Sequence, residues 1–205
     1  MSHRGDVERF DRWAKTYDRH WMQMRIIDPV QRTVLELAAA ESPSPATVLD
    51  VGCGTGRLLR AAGLRFPDAT LFGVDPAAGM VEQARASNPV GSATRFEVAS
   101  AENLPFDKDR FDLVFSTVTF HHWRDQEKGI AEIARVLAPG GSWLLADLVA
   151  TGAMRYVRRL LRMRRFRERR ELETMLDKAG LAVFAERQVP GLGGQVPALA
   201  IASPR

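Results

Sequence analysis

The run Val48-Leu49-Asp50-Val51-Gly52-Cys53-Gly54-Thr55-Gly56 constrains the fold of this chain more than any other stretch. Thr47 to Val51 is short, apolar and partly β-branched, which reads as a buried strand. Gly52, Gly54 and Gly56 follow at alternate positions, and Arg57 to Arg65 then carries Leu58, Leu59, Ala62 and Leu64 at helical spacing. Strand, glycine turn and helix form the opening unit of a doubly wound α/β sheet, which binds a nucleotide-like cofactor at the carboxyl end of the strand. Glycine suits such a turn because a Cβ blocks the approach of a ligand to the backbone and disfavours positive φ.

The spacing narrows the cofactor. A dinucleotide fingerprint needs G-x-G-x-x-G, and here the third glycine comes one residue early, leaving Arg57 in the required position. No G-x-x-x-x-G-K-[ST] phosphate loop is present. Asp50 stands just ahead of the turn, where a carboxylate repels a pyrophosphate and can pair with an ammonium. G-x-G-x-G behind an acidic residue resembles the first motif of the class I methyltransferases, which bind S-adenosylmethionine.

The rest of the chain extends this pattern. Val7, Phe10, Trp13, Ala14 and Tyr17 recur at three- and four-residue steps and predict a helix with one apolar stripe. A second helical stretch, Val30 to Ala40, follows a break at Asp28-Pro29 and ends before the linker Ser42-Pro43-Ser44-Pro45. Strands are expected at Thr70–Val74, Thr94–Val98, Phe111–Ser116 and Ser142–Val149, with helices at Pro76–Ser87 and Asp125–Leu137. Thr151 to Met163 and Glu168 to Ala179 read as helices, and Leu181–Val189 and Val196–Ala202 as two closing strands. Asp75 falls nineteen residues beyond Gly56, where a carboxylate at the tip of strand two accepts hydrogen bonds from ribose hydroxyls.

Composition adds limits. With 205 residues, 45% hydrophobic and 26% charged, the chain is expected to be one domain with a full core. No apolar run approaches the ~20 residues that span a bilayer, and Met1 to Asp18 has no apolar signal core. The single cysteine, Cys53, excludes an internal disulfide and makes a cytoplasmic setting the expectation. Four histidines without ligand spacing give no metal signal. The net charge of +4 is uneven: Arg155–Arg170 holds nine arginines against one glutamate, while the rest carries 20 basic and 24 acidic residues.

Three further segments resemble class I methyltransferase motifs in the family's order. They are Gly73 to Met80, Ala99 to Phe106, and Arg135 to Gly141; Phe10 to Ala14 with Tyr17-Asp18 is similar to the opening helix of the quinone-biosynthesis members. The resemblance implies a Rossmann-like seven-stranded sheet in the order 3-2-1-4-5-7-6, its last strand antiparallel, with helices on both faces. It implies one methyltransferase domain over 1–205, with a helical lid (1–45), a cofactor-binding core (46–150) and a basic helix, C-terminal helix and closing strands (151–205). It further implies that Tyr17, Asp50, Gly52, Cys53, Gly54, Asp75, Pro76, Met80, Ser100, Ala101, Glu102 and Ser116 contact S-adenosylmethionine, with S-adenosylhomocysteine as product. Ser100 stands where the family commonly places an aspartate.

The chemistry implied is in-line displacement at a sulfonium methyl, for which the protein supplies orientation and a dry pocket. His121 and His122, in the loop after strand four, are candidate bases, since a histidine takes a proton near neutral pH. The alternative for each is packing at the sheet edge or capping the next helix. The same loop lacks the [DNS]-P-P-[YF] run of nucleobase amine methyltransferases, and Cys53 lies elsewhere. The resemblance to the small-molecule members of the family implies a small acceptor, hydrophobic or anionic, such as a quinone, lipid or secondary metabolite. Arg155–Arg170 suits a solvated lid, an anionic membrane surface or lipid-like acceptor, or RNA phosphates. Competing readings are a nicotinamide-dependent oxidoreductase, a non-catalytic cofactor-binding protein on the same fold, and an RNA methyltransferase using the arginine segment. Acceptor and oligomeric state stay open.

Overall fold

Strand β1 (Thr47–Val51) is covered on both faces, and its alternation sets the layers of the molecule. Val48 points into one apolar cluster and Leu49 and Val51 into the other. The computed structural model describes residues 3–18, 23–88, 93–149, 165–190 and 196–202. Around β1 lie β2 (Thr70–Asp75), β3 (Thr94–Val98), β4 (Phe111–Thr117), β5 (Leu137–Ala146), β6 (Ala182–Gln188) and β7 (Pro197–Ala202). They form one sheet in the order β3-β2-β1-β4-β5-β7-β6, with β7 antiparallel to both its neighbours. Order and direction agree with those implied by the motifs.

The helices divide between the faces. Val30, Val34 and Leu37 of α2 (Asp28–Glu41), Leu58, Leu59 and Ala62 of α3 (Arg57–Arg65) and Val81 and Ala84 of α4 (Ala78–Ala86) fill one cluster. Ile130 and Ile133 of α5 (Gln126–Val136) and Leu172, Met175 and Leu176 of α6 (Arg169–Lys178) fill the other, against Phe72, Phe111 and Trp143. The same alternation runs through β4, β5 and β7, as strands buried on both sides require. Helix α1 (His3–Tyr17) lies outside these layers. It packs on α4, where Ala14 meets Ala77 and Met80, flanked by Val7, Phe10 and Tyr17. None of the described helices is long and apolar enough to cross a membrane.

Two boundaries differ from the sequence expectation. Asp28-Pro29 does not interrupt the chain: Pro29 sits in the first turn of α2, where its missing N–H costs nothing, and a π-helical turn (Gln23–Ile27) leads into it. Strand β5 begins at Leu137 rather than Ser142, directly after α5. Pro139-Gly140-Gly141 is a bulge inside this strand, because Leu137 pairs with Phe111 while Ser142 already pairs with Leu113. A Cβ on Gly141 would meet the carbonyl oxygen of Phe111 at 2.8 Å, so only glycine fits there.

Strand order reverses between β1 and β4. In an open α/β sheet the crevice at this switch point, at the carboxyl ends of the strands, is where ligands bind.

Candidate cofactor and acceptor site

The turn after β1 is fastened to the end of β2. The N–H groups of Gly52 and Cys53 donate to the carbonyl oxygen of Val74, at 2.8 and 3.0 Å. Gly52 has φ 81, and a Cβ built on it would lie 2.1 Å from Oγ1 of Thr119 in the loop after β4. Gly54 has φ 52, and a Cβ there would meet nothing within 4 Å, because it faces open space in a cleft. Asp75 holds the turn from the other side. Its Oδ2 accepts from Gly54 N–H at 3.0 Å and its Oδ1 from Ala77 N–H at 2.9 Å, at the start of α4. Burial pushes the Asp75 carboxyl up to about 6, against the lowering effect of these two donors.

The cleft holds about 730 Å³ of empty space, counting its open mouth. The glycine turn, Asp75, Pro76, Ala77 and Met80 form one side; Ser100, Ala101 and Glu102 close one end. Thr117, Val118, Thr119, His122 and Trp123 form the opposite side, and Asp6, Val7, Phe10 and Tyr17 of α1 lie across the mouth. Asp18 anchors the end of α1 by accepting from the Thr55 hydroxyl at 2.6 Å. Burial, then the charges of Asp75 and Asp18, push the Tyr17 phenol up to about 12, so it stays protonated.

Asp50 lies beneath the turn, 1% exposed, with no hydrogen-bond partner for its buried Oδ1. Burial and the nearby Asp75 push it up to about 8. An orphaned carboxylate oxygen at this depth is a place for a cationic ligand to satisfy. With the open face of Gly54 and the strand-tip Asp75, the residues present fit S-adenosylmethionine, whose ammonium, ribose and sulfonium ask for acids and whose backbone contacts ask for glycine.

The histidine loop is strained and anchored. Val118 adopts φ 53, a genuine outlier for a β-branched residue, of the kind found where surrounding structure imposes it. Asp147, just beyond β5, accepts from the backbone N–H of His121 at 3.2 Å and lies 2.6 Å from its Nδ1. The His121 ring stacks on Phe166, centroids 5.0 Å apart, and lies 4.0 Å from the His122 ring. Burial alone would lower the His121 pKa, but Asp147 more than offsets it and the net direction is up. His122 goes the other way: burial, then the neighbouring His121, push it down to about 4. His122 also meets Phe10 edge to face at 5.2 Å and lies 3.6 Å from Asp6.

Residues 49–145 match the methyltransferase domain family. The malonyl-[acyl-carrier protein] O-methyltransferase of Geobacter sulfurreducens is 39% identical over 138 residues, 67% of this chain and 50% of that one. The YcgJ structure of Bacillus subtilis is 25% identical, covering 83% of this chain and 97% of that one, with a TM-score of 0.67. The chain belongs to the class I methyltransferase family. A methyltransferase from Haloferax volcanii, solved in complex with the Trm112 methyltransferase activator, shares the fold: TM-score 0.79 at 24% identity, over 96% of this chain and 98% of that one. The chain spans about half the length of the curated relatives it matches.

Of the residues expected to hold the cofactor or act as base, Tyr17, Gly52, Gly54, Asp75, Pro76, Met80, Ser100, Ala101, Glu102 and His122 line the cleft. Four expected residues stand behind the wall. Asp50 is beneath the turn; the Cys53 side chain turns into the α2–α3 core, with burial pushing its thiol well up. The Ser116 hydroxyl accepts from Trp143 Nε1 at 3.2 Å on the opposite face of the sheet. His121 sits behind His122. Glu102 does double duty, since its Oε1 accepts from the N–H groups of Arg124 and Asp125, at 2.7 and 3.0 Å.

Sequence reasoning missed Asp6, Val7, Phe10, Ala77, Trp123 and Thr117 to Thr119 as lining residues, and Asp147 as the partner of His121. Val7 and Phe10 fall on the stripe of α1, inside the expected helical lid, but no signal singled them out as lining residues. Asp147 stands directly after a strand of the parallel sheet, a position that could have marked it. Arg57, at the failed dinucleotide position, is ion-paired with Asp28 at 2.9 Å. Of the arginine run, residues 155–164 lie outside the described residues. Arg165 pairs with Asp6, and Arg169 with Glu173 and Glu186 at 2.7 and 2.8 Å.

Proposed function

We propose that this chain moves the methyl group of S-adenosylmethionine to an oxygen of a small acceptor held between His122 and α1. The observation that carries the reading is a single cleft with a cofactor half, at the glycine turn and Asp75, and a facing half of His122, Phe10 and Val7. S-adenosylmethionine, when bound, supplies the electrophilic methyl. The open face of Gly54 lets a ligand reach the backbone of the turn, and Asp75 offers its remaining lone pairs to hydroxyls. Asp50, behind the turn, keeps an unpaired oxygen that a cationic group seated at the turn would draw into pairing. Phe10, Val7 and Tyr17 cover the mouth and exclude water.

His122 faces the acceptor. With its pKa near 4 it is neutral at physiological pH, so it offers a lone pair to an acceptor hydroxyl or stays an uncharged neighbour for a carboxylate. His121 is the positioning residue behind it, fixed by Asp147. The name of the Geobacter sulfurreducens relative supports oxygen as the accepting atom. The cation-rich segment Arg155–Arg170 supports an anionic or lipid-like acceptor.

The test is activity profiling with methyl-labelled S-adenosylmethionine against fractionated metabolites, lipids and RNA. Label is expected on oxygen in a small-molecule product, base-labile where the acceptor is a carboxylate and base-stable where it is a hydroxyl, and His122→Ala is expected to lower kcat roughly 100-fold for a hydroxyl acceptor. Label confined to RNA, or cofactor binding with no transfer at all, would overturn the reading.

A further inference from the structure

Beside the cofactor cleft lies a second depression that methyl transfer does not account for. The two share Trp123 as a wall. The rest is built by the first turn of α5 and by Arg124, Arg165 and Arg167. Its floor is Gln126, an amide 5% exposed. Gln126 Nε2 donates to the carbonyl oxygens of Phe120 and Arg165, both at 3.0 Å, and its Oε1 accepts from Arg167 Nε. One buried polar side chain thus ties both sides of the groove to the histidine loop, so the groove has a fixed shape.

Its charges are unbalanced. Arg165 is paired with Asp6, and Glu127 with Lys178 at 2.9 Å. Asp125 is turned onto the helix it caps, accepting from Lys128 N–H at 3.0 Å. Arg167 has only the neutral Gln126 amide, and Arg124 is engaged only through its backbone N–H, so neither guanidinium meets a carboxylate among the described residues. The positive end of α5 adds to the same field. Two guanidiniums from separate segments, around a concave site, match a tetrahedral dianion better than a planar carboxylate, which one guanidinium satisfies in a fork.

We propose that this groove seats the phosphate of a water-soluble, phosphorylated methyl acceptor, with Arg124 and Arg167 closing on the anion while the accepting atom lies past Trp123 in the cofactor cleft. The proposal rests on the methyl-transfer reading and names the class of acceptor for it.

The full chain, saturated with S-adenosylhomocysteine, is titrated with inorganic phosphate while the arginine Nε–H resonances are followed by NMR, with chloride as the ionic-strength control. Saturable shifts at Arg124 and Arg167 are expected, and the double variant Arg124→Gln/Arg167→Gln is expected to weaken phosphate binding at least tenfold. Arg187→Gln, whose arginine pairs with Glu36 far from the groove, is expected to leave the shifts in place. Equal drifts at Arg124, Arg167 and remote arginines such as Arg95, or a double variant that binds phosphate as the parent does, mean an adventitious ion only and overturn the proposal. Shifts produced by phosphatidate vesicles but not by phosphate overturn it in favour of a lipid surface. Failure of S-adenosylhomocysteine to bind registers separately, as failure of the cofactor reading.

Discussion

Asp147 and His121, twenty-six residues apart, meet at 2.6 Å behind the wall of the cleft, and both are nearly fully buried. The pair joins the end of β5 to the loop after β4, across neighbouring strands. It fixes the ring of His121, against which the His122 ring lies tilted at 4.0 Å, on the wall of the cleft.

Removing the carboxylate should therefore act on both stability and titration. The folded-state pKa of His121 is raised above its ordinary value of about 6.5, so the pair's contribution is complete below that pH and is lost as pH rises through the folded value. Asp147→Asn is expected to cost roughly 3 kcal/mol at pH 6, with the gap from wild type narrowing toward pH 9. Denaturant unfolding across this range, with NMR titration of His121, checks it; a pH-independent gap contradicts it.

Asp50 predicts an exchange of stability for binding. Its folded value of about 8 exceeds the unfolded one of about 3.9, so the folded state holds the extra proton between them and stability falls as pH rises across that window. Cofactor-free Asp50→Asn should melt above wild type at pH 8, yet bind S-adenosylhomocysteine at least tenfold more weakly. Thermal melts and calorimetry decide this together; a variant that melts lower at pH 8 counts against the assignment.

The two glycines of the turn should fail differently. Gly52→Ala drives a Cβ into Thr119 and should destabilise the fold by roughly 2 kcal/mol or more. Gly54→Ala meets no atom, so its stability cost is limited to about 1 kcal/mol for the left-handed backbone, while its methyl enters the cleft and weakens cofactor binding. Equal destabilisation of the two would contradict the difference in their surroundings.

Gly129 in α5 gives a remote route to the same site. A Cβ there would lie 2.4 Å from Trp123 Cε3. Gly129→Ala, which ordinarily favours a helix, should here destabilise by roughly 1–3 kcal/mol and perturb Trp123 fluorescence. A stabilised protein with unchanged fluorescence would contradict the packing.

The glycine-turn side of the cleft was legible because its sequence signal is local. Val48 to Gly56 carries strand, turn and helix in one run, and Asp75 follows at the fixed length of one βα unit plus a strand. The side formed by His122 and α1 was not. Asp147 reaches His121 only because β5 lies beside β4, and Asp6 reaches His122 only because α1 folds back over the mouth. Neither relation leaves a spacing in the chain. The direction of a side chain was equally hidden: Cys53 and Ser116 sit within matching motifs, yet their side chains turn away from the cleft into the sheet's two cores. The bulge in β5 was missed because Pro139-Gly140-Gly141 reads as a stop, whereas the pairing of Leu137 with Phe111 starts the strand before it.

The central claim is that the turn after β1 binds S-adenosylmethionine rather than a dinucleotide. Isothermal titration of the cofactor-free chain with S-adenosylhomocysteine and with NAD tests it most directly. Saturable binding of S-adenosylhomocysteine, lost in Asp75→Asn, with no heat from NAD is the predicted result. Binding of NAD alone would contradict it.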